Sequence, residues 1–190
     1  LNFQKAFELQ KNYQAPLATK MIEFLAESTD TISQKDIRES LSFILSQNSP
    51  QYDDLTLNLA KQLDFEQNPS VIASLFRDSQ ENGYEMTALF FARRFEEKRD
   101  ADRFNNPLLL AARKGRLDIV KILSLKVSPD YLNRHVGLYD MYELLRIILN
   151  SRDDTLAAIT LSKLSDNFLK NLLQNGYYSR QKLIGLAVEL

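Results

Sequence analysis

Few side chains in this sequence can do covalent or acid–base chemistry. It holds one histidine, His135, and no cysteine. Thiolate catalysis, disulfides and cysteine zinc sites are excluded, and histidine metal clusters and most catalytic triads lack material. His135 lies between Arg134 and Val136, where it could be a partner contact or a catalytic base; with no nucleophile or second ligand nearby in sequence it reads as an exposed loop residue. Acidic pairs occur at Asp53-Asp54, Glu96-Glu97 and Asp153-Asp154. Paired carboxylates can work as acid and base only in a cleft that moves their pKa values apart. At helix N-termini they complement the dipole instead, and that role fits two of these pairs. No GxGxxG, P-loop, GxSxG, HExxH or EF-hand pattern occurs. A non-enzyme with no cofactor and no bound metal is the expectation.

The charged and aromatic clusters suit binding better than catalysis. Arg93-Arg94, Lys98-Arg99 and Arg103 form a basic run, but Glu96, Glu97, Asp100 and Asp102 interrupt it. Arg113, Lys114 and Arg116 form a cleaner cluster, suited to an acidic partner or a lipid head group. Phe90, Phe91 and Phe95 with Tyr84 recur at helical spacing and read as core. Tyr131, Tyr139 and Tyr142 are different, because tyrosine is a favoured interface anchor with an apolar body and a polar tip. A net charge of -1 argues against a dedicated nucleic-acid binder. No apolar run approaches the roughly 18 residues of a membrane span.

These residues need elements to hold them, and the composition points to helices. Leucine occurs 32 times and valine 5 times, with glycine and proline at 5 each. Leucine favours helix, while a strand-rich domain needs more β-branched and turn residues. Four prolines follow a capping residue, at Ser49-Pro50, Asn68-Pro69, Asn106-Pro107 and Ser128-Pro129. Each pair reads as a helix start, since the cap satisfies an orphan amide and proline has none to satisfy. Ser33 with Asp36 is a capping-box variant ahead of the apolar run Ile37 to Leu45. The expected helices lie near 2–13, 16–28, 33–47, 50–64, 69–80, 84–99, 106–114, 117–126, 139–150, 154–164, 166–175 and 179–189. Length permits one large domain or two small ones. Short helices joined by short turns without a linker suggest a solenoid or a compact helical array.

One stretch is more specific. Residues 106–125 read Asn-Pro-Leu-Leu-Leu-Ala-Ala-Arg-Lys-Gly-Arg-Leu-Asp-Ile-Val-Lys-Ile-Leu-Ser-Leu. They resemble the ankyrin repeat, whose first helix opens on T-P-L-H-x-A. Asn106 takes the threonine place, Leu109 the histidine place, Ala111 and Ala112 the paired alanines, and Gly115 the inter-helix glycine. Ile119, Val120 and Leu123 match the apolar face of the second helix. Residues 126–138 have the length and polarity of the family's hairpin finger, with Asp130 and Gly137 near its aspartate and glycine. Residues 142–161 lie on 106–125 at an offset of 36. Gly83–Ala92 lies on Gly115–Ser124 without gaps, and Asn175-Gly176-Tyr177 repeats Asn82-Gly83-Tyr84. The expected helix pairs are 68–99, 105–126, 138–164 and 166–190, with no convincing copy before residue 66. The chain is thus read as all-α, an N-terminal helical region over 1–65 and degenerate ankyrin-like repeats over 66–190.

The resemblance implies a protein-interaction scaffold with a concave face made by first helices and finger tips. On that analogy the contact residues are Leu110, Arg113, Lys114 and Arg146, with Leu149 and Asn150 beyond, and the tip is Asn133, Arg134 and His135. Tyr139 and Tyr142 adjoin it. The partner so implied is a protein. The alternatives are an accessory or docking region of a larger enzyme and a phospholipid-binding domain using Arg113, Lys114, Arg116 and Lys121. Asparagine and glutamine total 24 and tryptophan is absent. In this style the chain resembles secreted effectors of intracellular bacteria, which implies a host-protein partner and a cytoplasmic working place. It opens on Leu1, as expected of a processed chain or a piece of a longer protein.

Overall fold

The computed structural model describes residues 33–66, 69–96 and 107–174. The helices expected near 2–13, 16–28 and 179–189, the basic residues Lys98, Arg99 and Arg103, and the Asn175-Gly176-Tyr177 echo lie outside them. Among the described residues there are ten α-helices, one short 3-10 helix and no strand, so the all-α expectation holds. The α-helices are α1 (Gln34–Ser46), α2 (Asp53–Ala60), α3 (Pro69–Glu81), α4 (Glu85–Arg94), α5 (Pro107–Arg113), α6 (Leu117–Lys126), α7 (Pro129–His135), α8 (Leu138–Asn150), α9 (Asp154–Leu161) and α10 (Asp166–Gln174). The 3-10 helix, η1, is Pro50–Tyr52.

The proline pairs begin helices as the sequence requires. Pro50, Pro69, Pro107 and Pro129 each open an element. Ser128 Oγ accepts the Tyr131 amide at 3.1 Å, and Ser33 Oγ accepts the Asp36 amide at 3.2 Å. Asp153 caps its own helix, accepting the Leu156 amide at 2.9 Å.

A turn of constant form joins paired helices. Two residues past the ends of α1, α3, α5 and α8 stand Asn48, Gly83, Gly115 and Arg152, with φ of 49°, 77°, 71° and 59°. Two residues further on, the next helical element begins. At Gly83 and Gly115 the turn is closed in the Schellman manner: the Tyr84 amide donates to the Ser79 carbonyl at 2.9 Å, and the Arg116 amide to the Ala111 carbonyl at 2.8 Å. Burial follows the same register in all four pairs. Seven residues before the turn residue are Leu41, Phe76, Leu108 and Leu145; four before are Ile44, Ser79, Ala111 and Ile148; eight after are Thr56, Phe91, Leu123 and Thr160. All are buried. A recurring backbone device thus carries a recurring buried register, apolar at all of these positions except Ser79, Thr56 and Thr160.

The chain divides into two compact units, Leu1–Phe90 and Phe91–Leu190. The sequence-based division at 65/66 falls inside the first. In that unit α1 packs on α2 and on α3, first helix against first helix. Phe65 and Phe90 meet edge to face, with centroids 5.8 Å apart. In the second unit α5 packs on α6 and α8 on α9, while α8 lies on α5 and α9 on α6. Each pair there stacks on its neighbour in the same sense, and α10 adds to α8.

The segment expected to form a finger is corrected. Residues 129–135 are α7, because Ser128 caps the helix, Pro129 pre-sets its first turn, and Tyr131, Leu132 and Val136 bury apolar surface. Gly137 has an ordinary negative φ of -61° as N-cap of α8 and makes no finger turn.

Candidate functional site

Inter-repeat polar contacts show which side chains the fold uses for itself. The Asp53 carboxylate accepts the amides of Met86 at 2.6 Å and Thr87 at 3.0 Å, and the Thr87 hydroxyl at 2.6 Å. It caps the N-terminus of α4 from the preceding pair, so this acidic residue is structural. Lys126 Nζ donates to the carbonyls of Arg93 at 2.7 Å and Phe95 at 3.0 Å, at the end of α4. Lys163 Nζ donates to those of Ser124 at 2.6 Å and Val127 at 2.5 Å, at the end of α6. Cations suit these helix ends, where carbonyls lack partners. Sequence reading missed both lysines. The available clue is their equal distance past Gly115 and Arg152.

The expected contact residues fall into two groups. On α8, Tyr139, Tyr142, Glu143 and Arg146 follow at i, i+3, i+4 and i+7 and share one face. Tyr139 is 60% exposed, Arg146 is exposed and Tyr142 half-buried. On α5, Arg113 closes the last turn, Leu110 is half-buried one turn back, and Lys114 follows, exposed. A fork joins the two helices. Arg113 Nε donates to Glu143 Oε1 at 3.1 Å, and Arg113 Nη2 donates to Oε2. The hydrogen bond from Arg113 holds the Glu143 carboxyl below its ordinary range, and the same bond raises the Arg113 guanidinium. The structure therefore brings Leu110, Arg113, Lys114, Tyr139, Tyr142 and Arg146 onto adjoining first helices, and adds Glu143, which the sequence reading did not select.

Asn133, Arg134 and His135 belong elsewhere, on α7, and form no finger tip. Asn133 Nδ2 donates to the Lys163 carbonyl at 3.1 Å, and its Oδ1 accepts from the Ser165 amide at 3.1 Å. It thereby fastens α7 to the turn before α10. Arg134 pairs with Asp130 one helical turn away at 2.7 Å. His135 ends α7, and its side chain lies outside the described set.

No family model, curated protein or solved structure matches this chain.

The remaining expected clusters are accounted for locally. Arg116, read as a contact for an acidic partner or a lipid head group, forks onto Asp118 with Nε to Oδ1 at 3.0 Å and Nη2 to Oδ2 at 2.8 Å, and this bond lowers the Asp118 carboxyl. Phe91, Phe95 and Tyr84 are buried and Phe90 is half-buried, as the core reading requires, whereas Tyr131, read as an interface anchor beside Tyr139 and Tyr142, is corrected to a core residue because α7 buries its side chain. Among the described residues no cluster of histidine and acidic groups has metal-binding form, and no helix is long and apolar enough to cross a membrane. An open depression of about 420 Å³ lies where α1 meets α3, lined by Lys35, Arg38, Glu39, Ser42 and Val71.

Proposed function

We propose that this chain is a protein–protein interaction module, a degenerate ankyrin-like stack that presents its first-helix face to a protein partner. The observation that carries the reading is the recurrence of one helix–turn–helix unit, with a left-handed turn residue at Asn48, Gly83, Gly115 and Arg152 and the same buried register around each. The intervals lie near the roughly 33-residue ankyrin period. The Asn106–Leu125 resemblance supports it too, since Gly115 occupies the inter-helix place. The helix at 129–135 departs from the family's finger, so the binding face in this reading is made by first helices alone. Stacked pairs hold side chains in fixed relative positions, and a preformed surface binds with little ordering cost. A host protein as partner, and a working place in host cytoplasm, are part of the same proposal.

The test places a photo-crosslinking side chain at Tyr139 or, on the second-helix side, at Leu125. A protein captured at Tyr139 and absent at Leu125 is purified and titrated with the full chain. Lys114→Ala with Arg146→Ala, both exposed and outside the Arg113–Glu143 fork, is expected to weaken binding while the melting temperature stays nearly constant. Unchanged affinity with a lowered melting temperature overturns the assignment.

A further inference from the structure

We infer that the first-helix face of the second unit docks an acidic segment of its partner, with Tyr139 as the apolar anchor and Arg113 and Arg146 as carboxylate receptors. The inference rests on the interaction-module reading and adds the partner's chemistry. It comes from how exposure sorts the charges. Arg113, Lys114 and Arg146 are exposed, whereas Asp140 and Glu143 on the same stretch of α8 are only partly exposed. The Arg113 side chain is 50% accessible and that of its partner Glu143 18%. An approaching segment therefore meets guanidinium and ammonium groups first, with the carboxylates set behind them.

The fork onto Glu143 does two things. It uses two of the five guanidinium N–H donors, and it leaves the other three for an incoming carboxylate. It also fixes the arginine before any partner arrives, so less side-chain entropy is lost on binding. Tyr139 has the largest exposed aromatic surface among the described residues, and Arg146 follows two turns later on the same face. An exposed tyrosine beside a held arginine, Arg113, and an exposed one, Arg146, has the composition of an interface hot spot. The chain as a whole carries a net charge of -1, so it offers no broad positive field for a nucleic acid or a membrane surface. Attraction confined to one small face suits a short acidic segment with an apolar side chain.

The experiment uses the full chain and a labelled 15-residue glutamate-rich peptide containing one phenylalanine, read by fluorescence anisotropy at low salt. A lysine-rich peptide of the same length serves as comparison. The acidic peptide is expected to bind more tightly than the basic one and to weaken with added salt. Arg146→Glu should weaken it by about tenfold or more, Tyr139→Ala by a smaller factor, and Leu125→Ser on the opposite side not at all. Circular dichroism of each variant checks that the helices remain. Tighter binding of the basic peptide, no binding of the acidic one, or equal affinity in Arg146→Glu overturns the inference. So does binding of heparin or phosphatidylserine vesicles through these residues without competition by the peptide. If the partner captured at Tyr139 contacts this face through a neutral or basic segment, the module reading stands and the acidic inference falls. If nothing is captured there, the module reading itself falls.

Discussion

The hydroxyl of Tyr84 lies inside the turn at Asn48, donating to the Ile44 carbonyl at 2.6 Å and accepting the Ser49 amide at 3.2 Å. Those two backbone groups are the pair that a Schellman turn would join directly, as Ser79 and Tyr84 are joined one unit later. One helix pair thus completes the turn of the previous one with a side chain. Asn82 adds to this, donating from Nδ2 to the Leu45 carbonyl at 2.9 Å.

Tyr84→Phe should therefore destabilise the chain by about 1–2 kcal/mol, as measured by urea unfolding, since the part-buried Ser49 amide loses its acceptor while the Ile44 carbonyl keeps only the Gln47 amide. The pH dependence has a definite sign. Burial raises the Tyr84 pKa in the fold, so its stabilising effect is fully present below the unfolded value near 10. It is lost as pH rises from there through the folded value. Alkaline destabilisation above about pH 10 should be smaller in Tyr84→Phe than in the parent; an equal loss in both would contradict this.

Lys126 and Lys163 repeat one contact in successive pairs of the second unit, each covering the carbonyl end of the preceding second helix. Replacing Lys163 by methionine keeps the stem and removes the donor. A loss of about 1–2 kcal/mol is expected, with a smaller loss for Lys126→Met, which is more exposed. Thermal unfolding of the two variants side by side decides it, and an unchanged Lys163→Met protein would show that water replaces the ammonium freely.

Asp53 and Asp153 both cap helices, yet not equally. Asp153 accepts one amide of its own helix, whereas Asp53 is buried and accepts two amides and a hydroxyl of the next pair. Asp153→Ala should cost about 1 kcal/mol. Asp53→Ala should cost about 2–3 kcal/mol, since Met86 and Thr87 are left with unmet donors. Denaturant midpoints in the reverse order would refute the distinction.

The turn residues predict opposite signs for two substitutions. Gly115 has φ of 71°, and no atom lies within 4 Å of the place a Cβ would take. Gly115→Ala therefore meets no clash and carries only the left-handed backbone cost of about 1 kcal/mol. Arg152 holds φ of 59° with a side chain in place. Arg152→Gly should raise stability by about 0.5–1 kcal/mol. Calorimetric melting temperatures moving in the same direction for both would rule this out.

Helix content was legible from the sequence because it rests on local physics. Leucine excess, few turn residues and capped prolines act within a few positions, and Pro50, Pro69, Pro107 and Pro129 all open helical elements. Gly83 and Gly115 could be read as turns because only glycine takes that conformation without cost. The first turn was hidden, since Asn48 replaces glycine there and its closing bond comes from Tyr84, far along the chain. The helix at 129–135 was signalled by Ser128-Pro129, and the family resemblance outweighed that local cue. Only the tertiary structure decided which charges serve the fold and which face outward. Asp53, Lys126 and Lys163 are bound to backbone groups of neighbouring pairs, and Asn133 to the turn before α10, so none is spare. Arg113 and Glu143 become a fork because α5 and α8 pack side by side, and no periodicity within either helix encodes that contact.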